Sequence, residues 1–198
     1  MTAAAIQLDE ATHTYTLNGV VVPNVTRVID QQLRDLSKIP LDVLLNKREI
    51  GQLVHEATAL DAAGQLDDAT IDQDIVNYVK AWRKFLLEKQ PRILATEQIV
   101  YHPLYGYVGK LDHEMVINDV PGIVDKKSGD PDDAVGVQLA SYLEARNHGR
   151  PAKDKFTRRW ALHLRPDGNY RLIPFTAKDD FSTFLNALSC FKWRTAHV

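Results

Sequence analysis

The chain contains one cysteine, Cys190, so it cannot close a disulfide on itself, and no cysteine-ligated zinc or iron–sulfur site is expected. A lone thiol favours a reducing compartment, and the expected location is intracellular, in the cytoplasm. Long apolar runs are also missing: nothing approaches the roughly twenty residues of a membrane span. The opening MTAAAIQLDEATHTY lacks a basic start followed by an apolar stretch, so neither a signal peptide nor a transmembrane helix is expected. Neither sign of charge dominates. Lys and Arg number 24 against 26 Asp and Glu, a net charge of -2, so any surface for nucleic acid must be local. Repeats and low-complexity segments are absent. What is there is a chain of 198 residues, 44% hydrophobic and 25% charged, long enough to bury a core as one domain with at most an appended subdomain.

Turn residues divide the chain. Short alternating runs flank Asn18-Gly19, a two-residue turn signal, and predict a hairpin over 6–22. Asn24 is placed to cap a helical stretch. Leu44, Leu45, Ile50, Val54 and Ala57 recur at helical spacing and predict a helix over 40–62, ended by Gly64. A second helix is predicted over 71–89. Between them lies an acidic connection without Lys or Arg, expected to be solvated. Strands are predicted over 92–101, 106–117 and 120–127, then a helix over 131–147, a hairpin over 156–175 and a last helix over about 178–194. Helices, antiparallel strands, helix, strands, helix is the order of an α/β domain around a central mixed β-sheet flanked by helices.

The chemistry concentrates in Gly109–Asp112 and Asp125–Gly129. If Asn118-Asp119 is a two-residue turn, Ile117 pairs with Val120 and Asp112 lies opposite Asp125. Opposed residues of an antiparallel pair share a face. Lys127 and Lys110, each two residues from an aspartate, fall on that face too, and His113 on the other. Two opposed carboxylates repel, and a divalent ion with oxygen ligands relieves them. A nearby lysine can position or deprotonate an attacking water and stabilise transition-state charge. The plainer alternative is a set of surface ion pairs on an exposed hairpin.

Companion motifs favour the ion. Gly51-Gln52-Leu53-Val54-His55 is similar to Gly-x-x-x-His, and Gly109-Lys110-Leu111-Asp112 to Gly-x-x-Asp. Ile123 to Gly129 resembles an apolar-apolar-Asp-x-Lys-Thr-Gly strand, and Gln138 to Tyr142 resembles Gln-x-x-x-Tyr. In that order these motifs resemble the PD-(D/E)xK nuclease superfamily, specifically its RecB-like exonuclease branch. The stretch from His13 to Thr26 is similar to the opening of phage and mitochondrial-genome-maintenance-type members.

The resemblance implies a restriction-endonuclease-like core over about 91–198, with the hairpin and helical segment of about 1–90 packed on it in a single nuclease domain. It implies that Asp112, Asp125, His55 and the Lys126 carbonyl hold one or two Mg²⁺ ions, with Mn²⁺ able to substitute. Lys127 would be the catalytic lysine, Gln138 and Tyr142 would line the site, and Glu97 could bind a second ion. Ser128 stands where threonine is commoner, and either hydroxyl could contact DNA. Lys126 replaces an apolar or aromatic residue, so the opposite face is expected to be less buried than usual.

Arg146, Arg150, Lys153, Lys155, Arg158, Arg159 and Arg165, interleaved with Phe156 and Trp160, form a basic strip, and Arg158 and Arg159 are its candidate DNA contacts. Tyr105 and Tyr107 are candidates for a wedge into a strand end. The implied activity is metal-dependent exonuclease action on single- or double-stranded DNA with a free end, in phage or prophage recombination or repair. A single-strand annealing or binding protein is a possible partner, and no membrane is involved. Two alternatives stay open: a non-catalytic DNA-binding module, and a structure- or sequence-specific endonuclease.

Overall fold

The hairpins form where left-handed backbone is available. Asn18 and Gly19 both have positive φ (53° and 78°), and so do Asn118 and Asp119 (49° and 63°), as two-residue hairpin turns require. In the computed structural model, which describes residues 6–9 and 12–197, the first of these turns joins β2 (Thr14–Leu17) to β3 (Val20–Val22). β1 (Ile6–Asp9) adds to β2, so the expected hairpin is a three-stranded meander. Positions 10 and 11 of that expectation lie outside the described residues. The second turn joins β5 (Tyr107–Ile117) to β6 (Val120–Lys127), with Ile117 opposite Val120 as the turn demands.

Helices begin and end at recognisable signals. Asn24 caps α1 (Val25–Gln32), its side-chain oxygen accepting from the Arg27 N–H at 2.8 Å. α2 runs Leu41–Ala62, and Gly64 follows it at φ +69°. α3 is Val76–Lys89, later than the apolar spacing predicted, because Asp67 and Asp72 turn the preceding backbone through their own side chains. The acidic connection is not simply solvated: Asp61 and Asp68 both bind Arg83, and Asp61 accepts from the Trp82 indole at 3.0 Å.

The protein is α/β, with a five-stranded mixed sheet in the order β4-β5-β6-β7-β8. β4 is Arg92–His102, β7 Arg158–Leu164 and β8 Tyr170–Pro174. α4 (Ala134–Asn147) carries the chain from β6 to β7, which pair in parallel, while the other pairings are antiparallel. α1, α4 and α5 (Asp180–His197) pack on one face around Leu111, Ile123, Ala161 and Phe184. α2 and α3 cover the other around Trp82, Met115, Val124 and Leu162. Among the described residues no helix is long and apolar enough to cross a membrane.

β5 does not keep one alternation throughout. Leu111 packs with the α4 cluster, whereas His113, two residues on, stacks on Trp82 of α3 at 5.2 Å between centroids. A regular strand would place both on one face. The slip falls at Asp112. Glu97 and Asp112 occupy the rung between the pairs Thr96↔His113 and Gln98↔Leu111, and Glu97 has φ +54°. Lys110 and Asp112 both line one cleft, as strand parity expects, whereas His113 falls on the α3 side, across the alternation from Leu111.

His113 is fully buried against Trp82, with its Nε2 unpartnered. Burial, reinforced by the charge of Lys126, pushes its pKa down to about 3. The folded state keeps the ring neutral, while the unfolded chain takes up a proton below about 6.5. Stability is thus intact above that value and falls by about 1.4 kcal/mol per pH unit below it, until the folded pKa is reached. Urea unfolding at pH 7.5 and 5.0 should show the wild type losing about 2 kcal/mol more than His113→Gln over this interval. Equal losses in the two proteins would contradict the burial account.

Candidate active site

The antiparallel ladder between β5 and β6 ends at His113↔Val124. Asp112 and Asp125 come next, beyond the last β5–β6 pair, where β6 stays paired with β7 through Asp125↔Ala161 and Lys127↔His163. The expected rung of opposed aspartates is replaced by a side-chain link: the Lys126 N–H donates to Asp112 Oδ2 at 2.6 Å. Both carboxylates are nearly inaccessible, at 5% and 4% exposure, so each must be compensated.

Helices on both sides supply the compensation. From α2, His55 brings Nδ1 to 3.2 Å from Asp112 Oδ1. On the α4 side, Lys127 Nζ lies 2.6 Å from Asp125 Oδ2 and donates to Gln138 Oε1 at 2.9 Å. Gln138 in turn donates to the Tyr142 hydroxyl at 3.0 Å and to Thr26 Oγ1 at 3.3 Å. Gln138 and Tyr142 thus form one chain that aims the lysine, with Thr26 of α1 as its anchor.

Burial alone would raise both acids. For Asp112, the charge and hydrogen bond of His55 together with Lys126 overcome burial and hold the carboxyl well below the usual range. For Asp125, burial and the neighbouring charge of Asp112 outweigh Lys127, and the carboxyl is raised. Two acids pushed in opposite directions are the pattern of a pair that cannot comfortably ionise together without a cation. The Tyr142 hydroxyl is pushed up by burial and then by the Asp125 charge, so it stays protonated as a hydrogen-bonding group.

The residues fit a divalent ion. Donor atoms of His55, Glu97 and Asp112 lie within 4.8 Å of one another. Ligands of an octahedral ion with bonds of about 2.1 Å stand about 3 to 4 Å apart, so only small side-chain adjustments are needed. Glu97 Oε1 is buried without a hydrogen-bond partner, whereas Asp125 Oδ2 is taken by its ion pair with Lys127. An orphaned acceptor such as Glu97 Oε1 is costly unless a further group binds it. Asp125 lies outside the His55–Glu97–Asp112 group, but its charge acts on His55 and, through their mutual repulsion, on Asp112.

His55, Glu97 and Asp112 line a cleft of about 1150 Å³ together with Thr26, Arg27, Arg48, Gln52, Lys110 and Tyr142, among others. Arg48 and Gln52 were missed in the sequence although the signal was present: they lie seven and three residues before His55, on the same helical face. Arg27 and Thr26 follow the Asn24 cap, where the first turn of α1 opens on the cleft.

Other expected contacts lie elsewhere. Arg159 is committed to Gly136 O, Ala177 O and Asp180, at 2.8–2.9 Å, and does not reach the cleft. Arg158 is exposed but pairs with Gly122, at the far end of β6 from Asp125. Arg146 is buried on Glu114 and over the Phe156 ring. The basic strip is therefore dispersed, because β7 and the end of α4 turn several of its cations inward. Tyr107 is buried and donates to Ser141 O at 2.8 Å, and Tyr105 packs on His102 and Phe181, so neither is free to act as a wedge. The face behind Lys126 is not open: Lys126 is fully buried, donates from Nζ to Thr58 Oγ1 at 2.9 Å, and lies 5.7 Å from the Trp82 ring. Ser128 is half-buried, its Oγ 3.6 Å from where a Cβ on Gly51 would sit. That is ordinary contact, so Gly51 is not sterically required there.

Fold and site together define an α/β protein with a carboxylate–lysine centre suited to a divalent ion. No family model and no curated protein matches the chain. Among solved structures, the chain is similar to LHK-Exo in complex with dAMP, at 14% identity and a TM-score of 0.40, covering 87% of each chain. It is also similar to the alkaline exonuclease LHK-Exo from Laribacter hongkongensis, at 14% identity and a TM-score of 0.36, covering 87% of this chain and 92% of that one.

Gly109 is the one place where the site demands glycine, because a Cβ there would overlap the Tyr142 ring. Gly109→Ala should destabilise the protein by about 1–3 kcal/mol through overpacking. Adding Tyr142→Ala should recover part of that loss, so urea unfolding of the double variant should be less affected than the sum of the singles. Simple additivity would show that the two do not press on one another.

Proposed function

We propose that the protein is a divalent-metal-dependent deoxyribonuclease that removes nucleotides from a free DNA end. The observation that carries this reading is the convergence of two buried aspartates and one lysine beside the orphaned Glu97 Oε1, with Asp112 and Glu97 lining a cleft large enough for a nucleic-acid strand. Asp112, Asp125, His55 and Glu97 would hold the ion, with the Lys126 carbonyl as a further ligand. Mg²⁺ is the expected ion, and the imidazole in the donor set makes Mn²⁺ a good substitute. Such an ion, when bound, polarises the scissile phosphate and makes a water acidic enough to attack at neutral pH.

The chain's own groups do the rest. Lys127, aimed by Gln138, orients the attacking water and carries positive charge toward the phosphate oxygens as negative charge builds on them. Tyr142 and Thr26 fix Gln138 and so fix the lysine. Arg27 and Arg48, on the cleft walls, are placed to bind flanking phosphates and hold the strand in line. The Gly-x-x-x-His and Gln-x-x-x-Tyr companions support action from an end over internal cutting. By the same resemblance, the role is processing of phage or prophage DNA during recombination or repair, with a single-strand annealing or binding protein as a candidate partner.

End-labelled single- and double-stranded oligonucleotides and a covalently closed circle test this with and without Mg²⁺. Linear DNA should be shortened from an end, the circle should survive, and excess EDTA should stop the reaction. Asp125→Ala and Lys127→Ala should each lower the rate at least about a hundredfold. Full activity in either variant or in EDTA would overturn the reading. Cutting of the circle would make the protein an endonuclease. Salt-dependent DNA binding with no cleavage under several metals would make it a binding module.

A further inference from the structure

Each acid of the centre has at least one oxygen already engaged, and Asp112 has both, since its Oδ1 meets His55 Nδ1 at 3.2 Å. Asp112 Oδ2 accepts from the Lys126 N–H at 2.6 Å, Asp125 Oδ2 meets Lys127 Nζ at 2.6 Å, and Glu97 Oε2 meets Lys110 Nζ at 2.9 Å. Glu97 shows the consequence most clearly. Its Oε2 is held by the lysine while its Oε1 is buried and has no hydrogen-bond partner. Its backbone is fixed in the left-handed region at φ +54°, inside a strand pinned on both sides by pairing with β5. That conformation is unfavourable for an L-residue and is held by the surrounding ladder, while Lys110 holds the carboxylate itself. Glu97 thus offers a single oxygen, and neither neighbouring acid offers more.

Ligand number separates the hard divalent ions. Ca²⁺ collects six to eight oxygens and readily takes both oxygens of a carboxylate, while Mg²⁺ accepts six ligands at short distances and keeps several waters. A centre whose acids can each bind through one oxygen only is poor for the first ion and adequate for the second. We propose that Lys110 is a specificity-determining residue, which withholds one oxygen of Glu97 and thereby makes the centre discriminate against Ca²⁺. The other donors that restrict the acids are His55, itself a proposed ligand, the Lys126 backbone N–H and Lys127. Lys110 is therefore the one whose side chain can be changed without touching a proposed ligand or the proposed catalytic lysine. The inference rests on the ion-binding centre proposed above.

Lys110→Met removes the clamp and keeps the aliphatic stem. It also removes a positive charge, which should strengthen the binding of every divalent ion alike, so the informative quantity is the ratio of Ca²⁺ to Mg²⁺ affinity. Calorimetric titration of the full-length protein, stripped of metal, with each ion alone measures that ratio. Lys110→Met should raise it about tenfold, the lower end of what changes behind a ligand usually do. Arg48→Met, which removes a cleft charge without freeing a Glu97 oxygen, should leave it unchanged. Lys110→Ala gives a second reading should the methionine variant fail to fold. An unchanged ratio in the Lys110 variants, with both ions still bound, would overturn the inference and leave the metal centre standing. An equal rise in Arg48→Met would also overturn it, by assigning the effect to charge. Failure of the wild type to bind either ion would overturn the centre and this inference together.

Discussion

Two buried carboxylates of like charge must be kept side by side, and much of this fold is arranged around that repulsion. At the interior dielectric of a protein, unpaired acids so placed would cost more than a domain's net stability could bear. Asp112 and Asp125 are tolerated because the structure surrounds them with His55, Lys127, the Lys126 N–H and the buried Lys126 amine. These partners come from both faces of the sheet. The centre therefore exists only when the helices on the two faces are docked together. Local structure alone makes the hairpin; tertiary packing makes the site.

The break of alternation in β5 accompanies the same constraint. An unbroken strand would carry Leu111 and His113 on one side. Slipping the alternation at Asp112 lets Leu111 join the α4 core and His113 stack on Trp82, while Asp112 reaches both His55 and the backbone of β6. Glu97, opposite that slip, takes the left-handed conformation that the irregular rung requires. Backbone strain and exposed ligand atoms coincide there, as is common where a fold gives up local comfort for chemistry.

Much of this was legible in the sequence. The two-residue turns at Asn18-Gly19 and Asn118-Asp119 follow from residues that accept positive φ, and the second sets which residues face one another across β5 and β6. The Asn24 cap and the Gly64 stop follow from side-chain and backbone chemistry within a few residues. What stayed hidden depended on contacts distant in the chain. Parity counting assumed an unbroken strand and so missed the slip at Asp112. Runs of Arg and Lys looked like a strip, but Arg159 and Arg146 turn inward to Asp180 and Glu114, partners that no local pattern points to. Lys126 reads as a sign of exposure, yet it is buried against Thr58 and Trp82, partners far away in the chain. Arg48 and Gln52 were accessible to helical spacing, once His55 was taken as the reference point.

The central claim is that the two buried acids are placed together to share a divalent cation. Crystals soaked in Mn²⁺ and measured at the manganese absorption edge test it most directly. The account predicts an anomalous peak within bonding distance of one oxygen each of Asp112 and Asp125, with His55 turned to ligate and Lys127 still on Gln138. A map without that peak at millimolar Mn²⁺, with His55 and Lys127 still closing off the two acids, would contradict it.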